Sequence, residues 1–87
     1  MQVLKTDEED GVARLTISIG DDDHMFEVWA DGNTALVEYQ ETLSWRGTIR
    51  TSEPDEDIIK ELMVSDEMTE FLQEQGCDSV RKAEATP

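Results

Sequence analysis

The chain offers one thiol, Cys77, and one imidazole, His24. Nucleophilic catalysis needs a nucleophile, a base and an orienting group within hydrogen-bond reach. Cys77 follows an expected helix C-terminus, where the negative end of the dipole disfavours a thiolate. Reactive cysteines sit instead at helix N-termini or beside cations, so Cys77 reads as a small apolar side chain. Asp21-Asp22-Asp23-His24 has the ligand types for a divalent metal. Four consecutive residues in a hairpin cannot all face one ion, however, and the alternate spacing and bend glycine of an EF-hand are missing. One Cys and one His do not make a zinc site, and no Gly-rich turn leads from a strand into a helix to cradle phosphate. General acids occupy apolar pockets that raise their pKa, whereas most of these carboxylates fall in turns or on polar helix faces. Glu27 and Glu38, on the expected outer sheet face, are accounted for by cross-strand pairing with arginine. No catalytic residue, metal ligand or cofactor is expected, and the chain reads as a non-enzyme.

The elements that would position these residues are written in the apolar spacing. Ala13, Leu15, Ile17 and Ile19 alternate with Arg14, Thr16 and Ser18, the period of a half-buried strand. Gly20 to Asp23 turns the chain, and Phe26, Val28 and Ala30 alternate with Met25, Glu27 and Trp29. Asp31-Gly32 is a strong hairpin signal. With Ala30 opposite Asn33, Val28 meets Ala35 and Phe26 meets Val37, and Tyr39 continues the inward series. A fourth strand is expected over 44–51, with Trp45 and Ile49 on one face and Arg46, Thr48 and Arg50 on the other. Gly47 is a candidate bulge. Residues 1–11 end in an acidic turn, with Val3 and Leu4 either a short strand or a frayed end.

Strand signals stop at Thr51. Ser52, Pro54 and the acids after them suit a helix start. The stripes Ile58-Ile59-Leu62-Met63 and Met68-Phe71-Leu72 are out of phase by about 200° on one helical wheel. A break near Val64-Ser65, with Ser65 as a new cap, predicts two helices over 53–63 and 66–75, stopped by Gly76. The expected fold is α+β, a four-stranded antiparallel meander followed by two short helices on one face. The single domain runs over 1–80, and 81–87 form a loose tail.

Strand parity sets Arg14, Arg46 and Arg50 on the outer sheet face beside Trp29, Met25 and Leu36. Arg14, Trp29, Arg46 and Arg50 are the candidate binding residues, because Trp and Arg dominate interface hot spots and Arg grips carboxylates or phosphates in two-point fashion.

The 87 residues carry 7 Lys and Arg against 22 Asp and Glu, a formal net charge of −15. Duplex DNA binding draws on a basic stripe that releases counterions, and the overall field opposes it. High charge also marks disorder, but here the apolar residues are patterned. No apolar run approaches the ~20 residues of a membrane helix, no signal-peptide stretch opens the sequence, and a lone cysteine fits a reducing compartment. Few lysines among evenly spread carboxylates resembles the acidic cytosolic proteins of extremely halophilic archaea. That resemblance implies a cytoplasmic protein kept folded by salt. The expected function is a small binding domain with a protein partner, which could be a second copy of itself. The alternatives are a nucleic-acid or anionic-ligand binder using the Arg/Trp face, and an acidic mimic of nucleic acid.

Self-repulsion at −15 weakens the compact state, and the Debye length falls from about 10 Å at 0.1 M salt to about 3 Å at 1 M. The urea midpoint is therefore expected to rise steeply with KCl over that range. A flat dependence would remove the high-salt reading.

Overall fold

The computed structural model of the chain describes residues 2–9 and 11–83. Four long strands follow one another as an antiparallel meander: β1 (Gln2–Glu9), β2 (Val12–Ile19), β3 (Asp22–Asp31) and β4 (Thr34–Ser44). A two-residue strand, β5 (Ile49–Arg50), folds back on the end of β4. Two helices follow, α1 (Glu56–Met63) and α2 (Asp66–Gln75), and β6 (Ser79–Lys82) returns parallel to the start of β4. The α+β meander with helices after it is the architecture read from the apolar spacing. The N-terminal segment is a full strand, and the start of the expected loose tail is paired with the sheet. Arg81 and Lys82 belong to β6, and Ala83 N–H donates to Val37 O at 2.8 Å. The remainder of the expected tail, 84–87, lies outside the described residues.

Alternation fixes one apolar face. Ala13, Leu15 and Ile17 of β2, Phe26 and Val28 of β3, and Ala35 and Val37 of β4 are buried together with Ile59 and Leu62 of α1 and Met68 and Phe71 of α2. Phe26 meets Tyr39 edge-on, with ring centroids 5.5 Å apart, a geometry worth about 0.5–1.5 kcal/mol beyond area burial. The β3–β4 turn is Gly32-Asn33 rather than Asp31-Gly32: Asp31 pairs Thr34, Val28 pairs Val37 and Phe26 pairs Tyr39. The register thus differs by two residues from the expected one. A shift of two leaves every side chain on its own face, so the inward set is unchanged. Gly32 takes φ +65°, as a two-residue hairpin demands.

The end of β4 departs further. Phe26 pairs Tyr39 but Met25 pairs Glu41, so Gln40 is an extra residue, a β-bulge that reverses the alternation after it. Thr42 becomes buried opposite His24, while Leu43 falls on the other face. Ser44 to Thr48 are a turn closed by Ser44 N–H to Thr48 O at 2.9 Å, with Gly47 at φ +86°. The expected fourth strand over 44–51 thus shrinks to Ile49–Arg50, with inverted parity. Trp45 and Ile49, expected inward, are 69% and 60% exposed.

The helix break falls where the phase shift put it. Ser65 ends the first helix and caps the second: its Oγ donates to Leu62 O at 2.7 Å and accepts from Met68 N–H at 3.2 Å. Gly76 stops α2 at φ +69°. The start of α1 is later than expected, with Asp55 rather than Ser52 at the N-cap and no side-chain cap bond. Ser65→Ala removes both hydrogen bonds at the break. Its expected cost is about 1 kcal/mol, read as a lower urea midpoint with unchanged slope. An unchanged midpoint would deny Ser65 that role.

Candidate functional site

The helices cover one face of the sheet and leave the other bare. Across the bare face Val12 pairs Trp29, Trp29 pairs Leu36 and Leu36 pairs Arg81. This row crosses β2, β3, β4 and β6, and its three apolar members are only half-buried. A parallel row sets Arg14 opposite Glu27 and Glu27 opposite Glu38. The carboxylates facing each other at Glu27 and Glu38 repel, and Arg14 is the cation next in line. Met25, paired with Thr16 and Glu41, continues the face toward Leu43 and Ile49. Arg14, Thr16, Met25, Glu27, Gln40 and Glu41 line a shallow depression of about 290 Å³ there.

The four candidate binding residues are not brought together. Arg14 and Trp29 share the bare face, two residues apart in register. Arg46 lies in the β4–β5 turn, its guanidinium 5.7 Å from the Trp45 ring centroid, a cation–π contact worth about 0.5–1 kcal/mol at an exposed site. Arg50 is on the helix-covered side, because the Gln40 bulge sets it opposite the inward Thr42. There it donates to Asp22 Oδ2 at 2.7 Å. The expected arginine cluster on the outer face is therefore not formed. Arg50 leaves it through the bulge at Gln40, and Arg46 through the turn that contains Gly47.

The acidic turn before β3 is divided by the same alternation. Asp22 faces Arg50, while Asp23 accepts from Ser18 Oγ at 2.6 Å on the opposite face. Among the described residues, no three His, Cys, Asp or Glu side chains are placed to hold a metal ion. Cys77 is a half-buried free thiol packed against the core after α2.

The feature that strand parity alone did not reveal lies on the helix side, at the sheet end where β5 folds back. His24 is 6% exposed and Thr42 2%. His24 Nδ1 and Thr42 Oγ1 are 2.8 Å apart, Thr42 Oγ1 and Tyr39 Oη 2.6 Å, and Tyr39 Oη donates to Arg50 O at 3.2 Å. One proton assignment satisfies all three bonds. The carbonyl can only accept, so the tyrosine hydrogen goes to it; Thr42 must then donate to Tyr39, and His24 Nδ1–H to Thr42. The ring thus carries its proton on Nδ1 and a lone pair on Nε2. Burial pushes the His24 pKa below its ordinary value, with Arg50 acting in the same direction and Asp22 and Asp23 opposing.

A histidine held below its unfolded pKa of 6.5 is neutral in the folded chain. The unfolded chain then binds the proton more readily, so stability is lost as pH falls through 6.5 toward the folded value. The urea midpoint is expected to drop between pH 7.5 and about 5.5, above the ordinary carboxylate range. His24→Gln should flatten that slope, and an equal slope in the variant would place the titration elsewhere.

Compared with protein-family models, with curated proteins and with solved structures, the chain matches none, so the functional reading rests on its own geometry.

Proposed function

We propose that the chain is a small, non-enzymatic binding module that docks a protein on the bare face of its sheet, in a cytoplasm of high salt. One observation carries this reading: both helices pack on the same face, and the other keeps the half-buried row Val12–Trp29–Leu36 crossing three strands, with no helix among the described residues packed on it. Scattered exposed apolar residues are ordinary. Register partners in a continuous row are not scattered, and a large aromatic at the middle of such a row is the residue type that anchors interfaces. Asp23, Glu27, Glu38 and Glu41 surround it, with Arg14 and Arg81 the cations on the same face among the described residues, which favours a partner surface that is apolar at its centre and basic at its rim. Such a rim attraction is screened in molar salt, so the apolar row provides the affinity there and the charges provide orientation.

The nucleic-acid alternative drew on four clustered basic and aromatic residues. With Arg50 engaged by Asp22 and Arg46 stacked on Trp45, that cluster does not support it, and protein is the favoured partner. Among the described residues no helix is long and apolar enough to cross a membrane.

The test is Trp29→Ala combined with Leu36→Ala, with folding verified by circular dichroism. Both proteins are then used at high salt in pull-downs from the source cells and in sedimentation. The double variant is expected to lose the captured partner, or to become monomeric if the partner is a second copy. Retention of the same partners and the same oligomeric state, or capture of nucleic acid by the unaltered protein, would overturn the reading.

A further inference from the structure

The cleft beside His24 is separate from the bare sheet face and lies under the segment that leads from β5 into α1. It encloses about 330 Å³ between the sheet end and residues 52–58, near the lower end of the ~300–1,000 Å³ of small-molecule sites. Ile19, Pro54 and Ile58 form apolar walls, and His24 and Thr42 lie at its base. Among the described residues no buried side-chain nitrogen or oxygen lacks a hydrogen-bond partner. His24 Nε2 has none, the ring's one bond being made by Nδ1. Nε2 is therefore reached by solvent, and the opening that reaches this 6% exposed residue is the cleft. The proton chain through Thr42 and Tyr39 makes that atom an acceptor.

The charges around it have one sign in excess. Three carboxylates, Asp22, Glu53 and Asp55, line the cleft against one guanidinium, Arg50. Asp22 is engaged by Arg50 and Glu53 by Lys82. Asp55 stands at the N-cap of α1 without a side-chain cap bond, and no ion pair engages it among the described residues. The cleft thus presents two acceptors that no protein donor engages among the described residues, a ring nitrogen at its base and the exposed Asp55 carboxylate, beside apolar walls. A ligand that fits donates hydrogen bonds, carries positive charge and has a short hydrocarbon body. A metal ion does not fit, because among the described residues no three ligand side chains converge.

We infer that this cleft binds a small primary alkylammonium compound, which donates an N–H to His24 Nε2 and sets its charge against Asp55. The alkyl portion lies along Ile19, Pro54 and Ile58. Protonation of His24 turns the acceptor into a donor and opposes the ligand, with Asp22, Asp23, Arg50, Glu53 and Asp55 the charged groups around the ring. Occupancy therefore falls with pH.

The experiment uses the full chain at fixed KCl and pH 7.5, with n-propylammonium chloride as probe and tetramethylammonium chloride as the cation without an N–H. Histidine ring nitrogens and backbone amides are followed by NMR. Propylammonium is expected to shift Nε2 and the amides of Thr42 and Ile58 saturably. Asp55→Asn is expected to weaken this by up to about fivefold, the scale of an exposed ion pair. Lowering the pH through the His24 titration is expected to abolish it. Equal shifts with tetramethylammonium would reduce the effect to the general acidity of the chain. No saturable change at Nε2, or an unaltered affinity in Asp55→Asn, would overturn the site. Trp29→Ala with Leu36→Ala leaves the cleft untouched, so the two readings fail independently.

Discussion

One extra residue in β4 organises the end of this molecule. The Gln40 bulge lets Tyr39 and Thr42 lie on the same side of a strand although three positions apart. Without it, regular alternation would direct Glu41 and Leu43 inward and turn Thr42 to the bare face. His24 would then be buried opposite no hydroxyl, a cost of about 1–3 kcal/mol for an unsatisfied polar group. With it, imidazole, threonine, tyrosine and the Arg50 carbonyl form one continuous chain. The same reversal delivers Arg50 to Asp22 and sets it on the lining of the cleft. The hydrogen-bond chain and the bulge support each other, since each supplies the geometry the other needs.

The acidity shapes what can hold this fold together. The Arg50–Asp22 pair is half exposed, at 52% and 35%, and such pairs contribute about 0–1 kcal/mol. Cohesion must come from burial, and the buried set is drawn from three central strands and both helices. A core of this size leaves little margin. That is why a strand return as short as β6 matters: pairing Ser79–Lys82 with Thr34–Val37 ties the chain after α2 to the sheet centre. Val80 packs on the core from that strand, and Lys82 reaches Glu53 in the link before α1.

Local patterns carried most of the fold and little of the site. The inward residues of β2 and β3 follow from strict alternation, and the break at Ser65 follows from a phase error no straight helix tolerates. The hairpin register was legible only modulo two, because alternation distinguishes faces and not neighbours on one face; Gly32-Asn33 and Asp31-Gly32 bury the same side chains. The Gln40 bulge left no local mark, since neither glycine nor proline stands there, so the faces expected for Ile49 and Arg50 inverted. Gly47 was the visible signal and served a turn instead. β1 was obscured by its run of acids, and β6 by its length and its parallel partner more than forty residues earlier, a pairing that no local spacing announces. A cue for the cleft existed in His24 itself: on the Phe26–Val28 parity it is an inward-facing histidine, and such a group requires a hydrogen-bond partner.

The two sides of the sheet differ in solvent access. The apolar row of the bare face crosses three strands and can only be protected by a surface of similar extent, which a small solute does not have. The cleft is the opposite case. At its base His24 is 6% exposed, and a lower local dielectric around that ring strengthens each hydrogen bond made there. Salt that screens charges across the bare face acts less on a partly buried nitrogen. In a chain whose surface field is so strongly negative, a neutral lone pair held in place by three hydrogen bonds is one of the few recognition elements that salt leaves intact. Its orientation depends on Thr42 and Tyr39, and through Tyr39 on the backbone of Arg50, so a residue that lines the cleft also helps aim the atom at its base.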